Sequence, residues 1–149
     1  MNVGEVCNRN VVVTHRATPL AEAARIMREN HVGSIVVVDE DAGRRVPVGM
    51  LTDRDIVVAV VARELDARTL MVGEVMSLDP ISVREEASSL DALEAMRRHG
   101  VRRIPVLGRD GELAGIVAFD DLLRIVGEEI EGFVRAITVE RVQEAHFRK

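Results

Sequence analysis

The sequence contains itself twice. Val3-Gly4-Glu5-Val6 recurs as Val72-Gly73-Glu74-Val75, 69 residues downstream. At the same offset Ala23 matches Ala92, Met27 matches Met96, Val32 matches Val101, Ile35 matches Ile104 and Val37 matches Val106. Further on the offset falls to 66, pairing Gly49 with Gly115 and Asp55 with Asp121. The first copy therefore carries three extra residues between Val38 and Gly49, an insertion that a surface turn absorbs at small cost. A chain duplicated at this spacing is two copies of one supersecondary unit. Neither copy can bury its apolar face alone, so the two must pack together.

Both copies read alike. A short helical turn (residues 3–6; 72–76) precedes a short strand (11–14; 81–83) and then an amphipathic helix. In the first copy Thr18 suits an N-cap and Pro19 the first helical position. Leu20, Ala23, Ala24 and Met27 share a face of that helix. In the second, Ser88-x-x-Asp91 resembles a capping box, with Ala92, Leu93 and Met96 as the buried stripe. Two β-branched, mostly apolar strands follow (34–38 and 47–51; 103–107 and 113–117), joined in the second copy across the turn signal Asp110-Gly111. A second helix starts near Thr52 and near Ala118. The predicted fold is mixed α/β (α+β): two tandem β-α-β-β-α repeats, 3–65 and 72–126, packed as a pseudo-twofold pair across a linker at 66–71. A C-terminal helical extension at 127–149 completes it. There Leu123, Val126, Ile130, Phe133 and Ile137 fall three or four apart, which predicts an amphipathic arm or dimer contact. Gly127 and Gly132 weaken that helix, and His146, Arg148 and Lys149 are expected to fray.

Composition narrows the function. Apolar residues make up 47% of the chain without Trp or Tyr, so the core is aliphatic. The apolar run 56–62 is far too short to span a bilayer, and the first ten residues lack the pattern of a signal peptide. The net charge of −5 opposes nonspecific binding to nucleic acid or anionic membrane. Arg97, Arg98, His99, Arg102 and Arg103 form the one basic concentration, readable as a solvated helix end. One cysteine, Cys7, precludes an internal disulfide. A cytoplasmic location is expected. His15, His31, His99 and His146 show no metal spacing; His31 and His99 fall at helix C-terminal ends, where a His is electrostatically welcome. Asp39, Glu40 and Asp41 read as an exposed turn and Cys7 as a packed thiol. No nucleophile–base arrangement or Gly-rich phosphate loop is evident.

The most informative segment is Gly49-Met50-Leu51-Thr52-Asp53-Arg54-Asp55. A strand ends, a hydroxyl stands at a helix N-cap and a carboxylate follows three residues later. On its own it reads first as a capping box; the same geometry also suits a phosphate-plus-ribose clamp, since helix N–H groups suit phosphate and a carboxylate accepts from both ribose hydroxyls. The second copy keeps the carboxylate, Asp121, but has Ala118 in place of the hydroxyl.

The duplicated pattern, the Gly-x-x-Thr-x-x-Asp segment and strings such as HVGSIVVVDE and GVRRIPVLGRDGELAGIV resemble CBS (cystathionine-β-synthase) domains over residues 3–126. That resemblance implies a disc-like tandem pair, often dimeric, that binds AMP, ADP, ATP or another adenosyl ligand between repeats and regulates an enzyme or transporter. It implies no catalysis and no catalytic cofactor, with magnesium as a companion of the nucleotide. Carried over, one cleft joins Met50, Thr52 and Asp55 to Met76, Ile81, Val101, Arg102 and Arg103. The other joins Ile116, Ala118 and Asp121 to Cys7, Val12, Val32, Gly33 and Ser34. Apolar members would sandwich adenine, Asp55 and Asp121 would hold ribose, and the arginines would meet phosphate. The Thr52/Asp55 cleft is expected to bind more tightly. The alternative is a structural CBS dimer whose clefts are empty or hold a divalent cation.

Overall fold

The computed structural model describes residues 1–147; Arg148, Lys149 and the side chain of His146, where fraying is expected, lie outside the described residues. The first sheet has four strands in the order β1 (Val13–Thr14), β2 (Ser34–Asp41), β3 (Arg44–Thr52) and β4 (Ser77–Leu78). The second has β5 (Val83–Arg84), β6 (Arg103–Leu107) and β7 (Leu113–Ala118). In each sheet the leading strand runs parallel to the next, and an antiparallel hairpin follows. Helices α1 (Val3–Val6), α2 (Leu20–Asn30), α3 (Asp53–Ile56), α4 (Ser89–His99) and α5 (Phe119–Phe147) complete the chain. A wider π turn, Val57–Val61, prolongs α3, and a 3-10 turn, Val72–Glu74, precedes β4.

The three extra residues of the first repeat lengthen its hairpin. Ala42 and Gly43 occupy the tip with φ of 50° and 77°, the two positive values that a tight two-residue turn requires. The strands predicted at 11–14 and 81–83 are shorter, because only Val13–Thr14 and Val83–Arg84 pair with a neighbour.

The two repeats exchange their leading segments. Val72 and Met76, from the start of the second repeat, are buried in the first core beside Leu20, Met27, Ile35 and Leu51. Val3 is buried in the second core beside Met96, Ile104 and Leu122. Backbone bonds hold each exchange in matching places. Val3 and Gly4 amides donate to Ala87 and Glu85 carbonyls at 2.8 and 2.9 Å. Val72 and Gly73 amides donate to Thr18 and Arg16, both at 2.9 Å. Strand β4 joins β3 through Met50 and Ser77, and Asn8 bridges Ile116 of β7 at the equivalent place. Each core is thus completed by chain from the other repeat.

That exchange also corrects one cap. Pro19 stands in the cap position of α2 instead of its first turn, and the Thr18 hydroxyl accepts from His15 N–H at 3.3 Å. The free amides of Leu20 and Ala21 donate to Leu70 and Ala67 carbonyls of the linker, at 2.9 and 3.3 Å. The linker does the work expected of a side-chain oxygen. Helix α4 follows expectation: Ser88 Oγ accepts from Asp91 N–H, and Asp91 accepts from Ser88 N–H, both at 3.1 Å. The Ser88 hydroxyl also donates to Asp91 Oδ2 at 2.7 Å, and that bond, with the one from Ser88 N–H, holds the Asp91 carboxyl below its ordinary value.

Thr14 carries a defect. Its hydroxyl is buried and has no hydrogen-bond partner among the described residues. The matching position of the second repeat, paired to Val106 as Thr14 is to Val37, is Val83. Exchanging an unsatisfied hydroxyl for an isosteric methyl removes a desolvation cost of about 1–3 kcal/mol. Thr14→Val is expected to raise the unfolding free energy by part of that amount, seen as a higher urea midpoint at unchanged slope; a lower midpoint means the hydroxyl has a partner.

Candidate functional site

Two clefts lie between the repeats. The larger, about 580 Å³, lies between the end of β3 with the start of α3 on one side, and the β4–β5 connection with the α4–β6 turn on the other. Met50, Thr52, Asp55, Ile81, Val101, Arg102 and Arg103 all line it. Met76 does not. Its side chain is drawn into the first core, where it packs on Gly49: a Cβ built on that glycine would fall 2.7 Å from Met76 Sδ. Gly33, expected in the other cleft, lines this one, and Ser34 lines both. Gly33 lets α3 approach, its carbonyl accepting from Asp53 N–H at 3.0 Å, while an added Cβ would meet the Asp53 carboxylate at 3.0 Å.

The smaller cleft, about 240 Å³, gathers Ile116, Ala118 and Asp121 with Val12, Val32 and Ser34. Cys7 is absent for the reason Met76 is absent from the first. Its sulfur packs on Gly115, where a Cβ would come 2.5 Å from Sγ. Burial pushes the Cys7 thiol above its ordinary value, against the opposing field of Arg9, so it stays protonated near neutrality. Asn8, Asn10 and Val11 line this cleft, and Ser77 to Pro80 line the larger one. Sequence reasoning named none of these. The signal was there in the 69-residue offset, which pairs Asn8 with Ser77 on the exchanged segments.

The capping box and the clamp coexist. Thr52 Oγ1 accepts from Asp55 N–H at 3.0 Å, and Asp55 Oδ2 accepts from Thr52 N–H at 2.9 Å. That leaves the Thr52 hydroxyl proton and Asp55 Oδ1 for a ligand. The second cleft has no such pair, since Ala118 carries no oxygen. Arg103 lines both clefts. Arg102 lines the larger one, binds Asp120 at 2.8 Å and lies 5.9 Å from the Phe119 ring centre. Both Asp120 and Phe119 belong to the first turn of α5.

The CBS domain family profile matches twice, at residues 3–62 and 72–128. The chain belongs to the CBS-domain family. Hypoxic response protein 1 of Mycobacterium tuberculosis is 36% identical over 134 residues, 89% of this chain and 91% of that protein. A solved structure of Hypoxic Response Protein I with two coordinated zinc ions superposes with a TM-score of 0.72 at 35% identity, covering 83% of this chain and 98% of that one. A CBS domain protein from Pyrobaculum aerophilum, solved in complex with AMP, superposes at 0.73 with 30% identity, covering 81% and 89%. A relative from Methanopyrus kandleri is 34% identical over 125 residues, and this chain spans only 62% of its length. The mixed α/β tandem pair is therefore the CBS-pair fold, to which α5 adds a long C-terminal helix. No described helix is long and apolar enough to cross a membrane.

Proposed function

We propose that this CBS pair is a non-enzymatic regulatory module, homodimeric, that binds an adenine nucleotide or related adenosyl ligand between its repeats. The reading rests on the larger cleft. Its volume lies within the range of about 300–1,000 Å³ usual for small-molecule sites, whereas the smaller cleft falls below it. Met50, Ile81 and Val101 offer adenine an aliphatic sandwich, Asp55 Oδ1 and the Thr52 hydroxyl face ribose and phosphate, and Arg102 and Arg103 add guanidinium charge. AMP in the related Pyrobaculum protein supports the ligand class.

Relay follows from Arg102. A phosphate in the cleft competes with Asp120 for the guanidinium, and Asp120 stands at the head of α5. Ligand binding thereby shifts how α5 leaves the body, and a regulated enzyme or transporter would read that difference. The zinc-bound relative favours a second reading, a cation site. Among the described residues no three His, Cys, Asp or Glu side chains converge on one point, which leaves the nucleotide better supported.

A thermal-shift panel of AMP, ADP, ATP, S-adenosylmethionine, magnesium and zinc tests this. At least one adenosyl ligand is expected to raise Tm progressively with its concentration, magnesium alone leaving it unchanged. No response to any adenosyl ligand at millimolar concentration overturns the nucleotide reading.

A further inference from the structure

Three carboxylates, Asp53, Asp55 and Asp79, line the larger cleft together with three guanidiniums, Arg54, Arg102 and Arg103. Half of these groups are already engaged within the protein. Asp53 Oδ1 accepts from Arg54 N–H at 2.8 Å, Asp55 Oδ2 accepts from Thr52 N–H at 2.9 Å, and Arg102 binds Asp120 at 2.8 Å. Among the described residues, the Arg54, Arg103 and Asp79 side chains have no such partner and keep their charges free in the cleft. Arg16, which feels the Asp79 charge, is itself held by both carboxylate oxygens of Asp39 at 3.1 Å.

The fold sets this position against ligand space twice. The 69-residue offset pairs Asp79 with Asn10, which lines the smaller cleft. Asp79 has a φ of 49° and precedes Pro80, whose ring disfavours helical backbone in the residue before it. Asp and Asn tolerate left-handed backbone better than most residues that carry a Cβ. The turn accepts either residue, so its backbone does not call for the negative charge.

We propose that Asp79 sets how many phosphates the larger cleft accepts, its carboxylate admitting adenosine monophosphate and disfavouring the di- and triphosphates. The proposal rests on the nucleotide reading above. A phosphate monoester carries about −1.5 to −2 charges near neutrality, which the free Arg54 and Arg103 guanidiniums balance. Each further phosphate adds negative charge with no free guanidinium left to meet it, and Asp79 then faces it as a like charge. Partly screened by solvent, such a repulsion lowers affinity about tenfold.

Calorimetry on the whole chain in magnesium-free buffer, with AMP and with ATP, tests it. The wild type is expected to bind AMP at least about tenfold more tightly than ATP. Asp79→Asn is expected to narrow that ratio about tenfold by improving ATP binding, and to keep the wild-type Tm because asparagine keeps the turn. Glu86→Gln removes the same charge from an exposed residue outside the cleft, and is expected to keep the wild-type ratio. If neither nucleotide binds, the role of Asp79 is overturned together with the nucleotide reading. A wild type that binds AMP but holds ATP as tightly overturns the role of Asp79 and leaves the nucleotide reading standing. So does an Asp79→Asn variant with the wild-type ratio. A ratio narrowed equally by Glu86→Gln assigns the effect to net charge and also overturns it.

Discussion

Met76→Ala is expected to lower the unfolding free energy by about 2–5 kcal/mol, a large part of the roughly 5–15 kcal/mol that holds a domain together. Met76 follows the linker, yet it is only 8% exposed and lies in the first repeat's core. Removing its thioether opens a cavity against Gly49, where backbone approaches too closely for side chains to fill the gap. Urea denaturation followed by circular dichroism measures the loss directly. If the repeats kept their own leading segments and Met76 faced the ligand, truncation would cost little stability and much affinity. A loss below about 1 kcal/mol therefore rules out the exchange, because a methionine truncated in a packed core costs more than that. The variant is also expected to unfold in one transition with an unchanged urea slope, since each core is closed by the other repeat and neither can open alone.

The same exchange marks the boundary of what the sequence discloses. Apolar spacing identified Leu20, Ala23, Ala24 and Met27 as one buried face and Ala92, Leu93 and Met96 as its counterpart; Ala24 and Leu93 are half-buried and the other five are buried. Local chemistry also located the Ser88–Asp91 capping box and the turn at Gly111, where φ is 81°. These features depend on residues within one helical or hairpin turn. Periodicity says that Val3 and Val72 are buried but not against which copy, for both arrangements hide the same methyl groups. Met76 and Cys7 were assigned to clefts by the family resemblance, and each instead fills the space over a glycine. The α2 cap failed for a related reason: Leu70 and Ala67 carbonyls are distant in sequence and adjacent in space. The cleft residues on the hairpins and closing helices, from Met50 to Asp55 and from Ile116 to Asp121, lie on single continuous segments, and the structure brings them to the expected clefts.

Asp55→Ala is expected to weaken AMP binding at least about tenfold, the effect of losing a charge-assisted hydrogen bond of about 1.5–3 kcal/mol. By itself that result would be ambiguous. Asp55 Oδ2 also accepts from Thr52 N–H, and removing a capping oxygen costs about 0.5–2 kcal/mol of stability. A frayed α3 would then disturb the cleft even if Asp55 never touched a ligand. Asp55→Asn separates the two roles. Asparagine keeps one oxygen to accept from Thr52 N–H, so the melting temperature is expected to stay close to that of the wild type. Its other terminus is an NH₂ that donates, whereas a carboxylate oxygen accepts. A ribose hydroxyl pair that donated to Asp55 loses its acceptor, and the loss of affinity is expected to persist in Asp55→Asn. Calorimetry finding wild-type AMP affinity in the asparagine variant would reduce Asp55 to a helix cap. Asp121, beside Ala118, serves as the control: its amide variant is expected to leave the tighter site unchanged, because the smaller cleft offers neither the volume nor the cap hydroxyl that Thr52 gives the larger one.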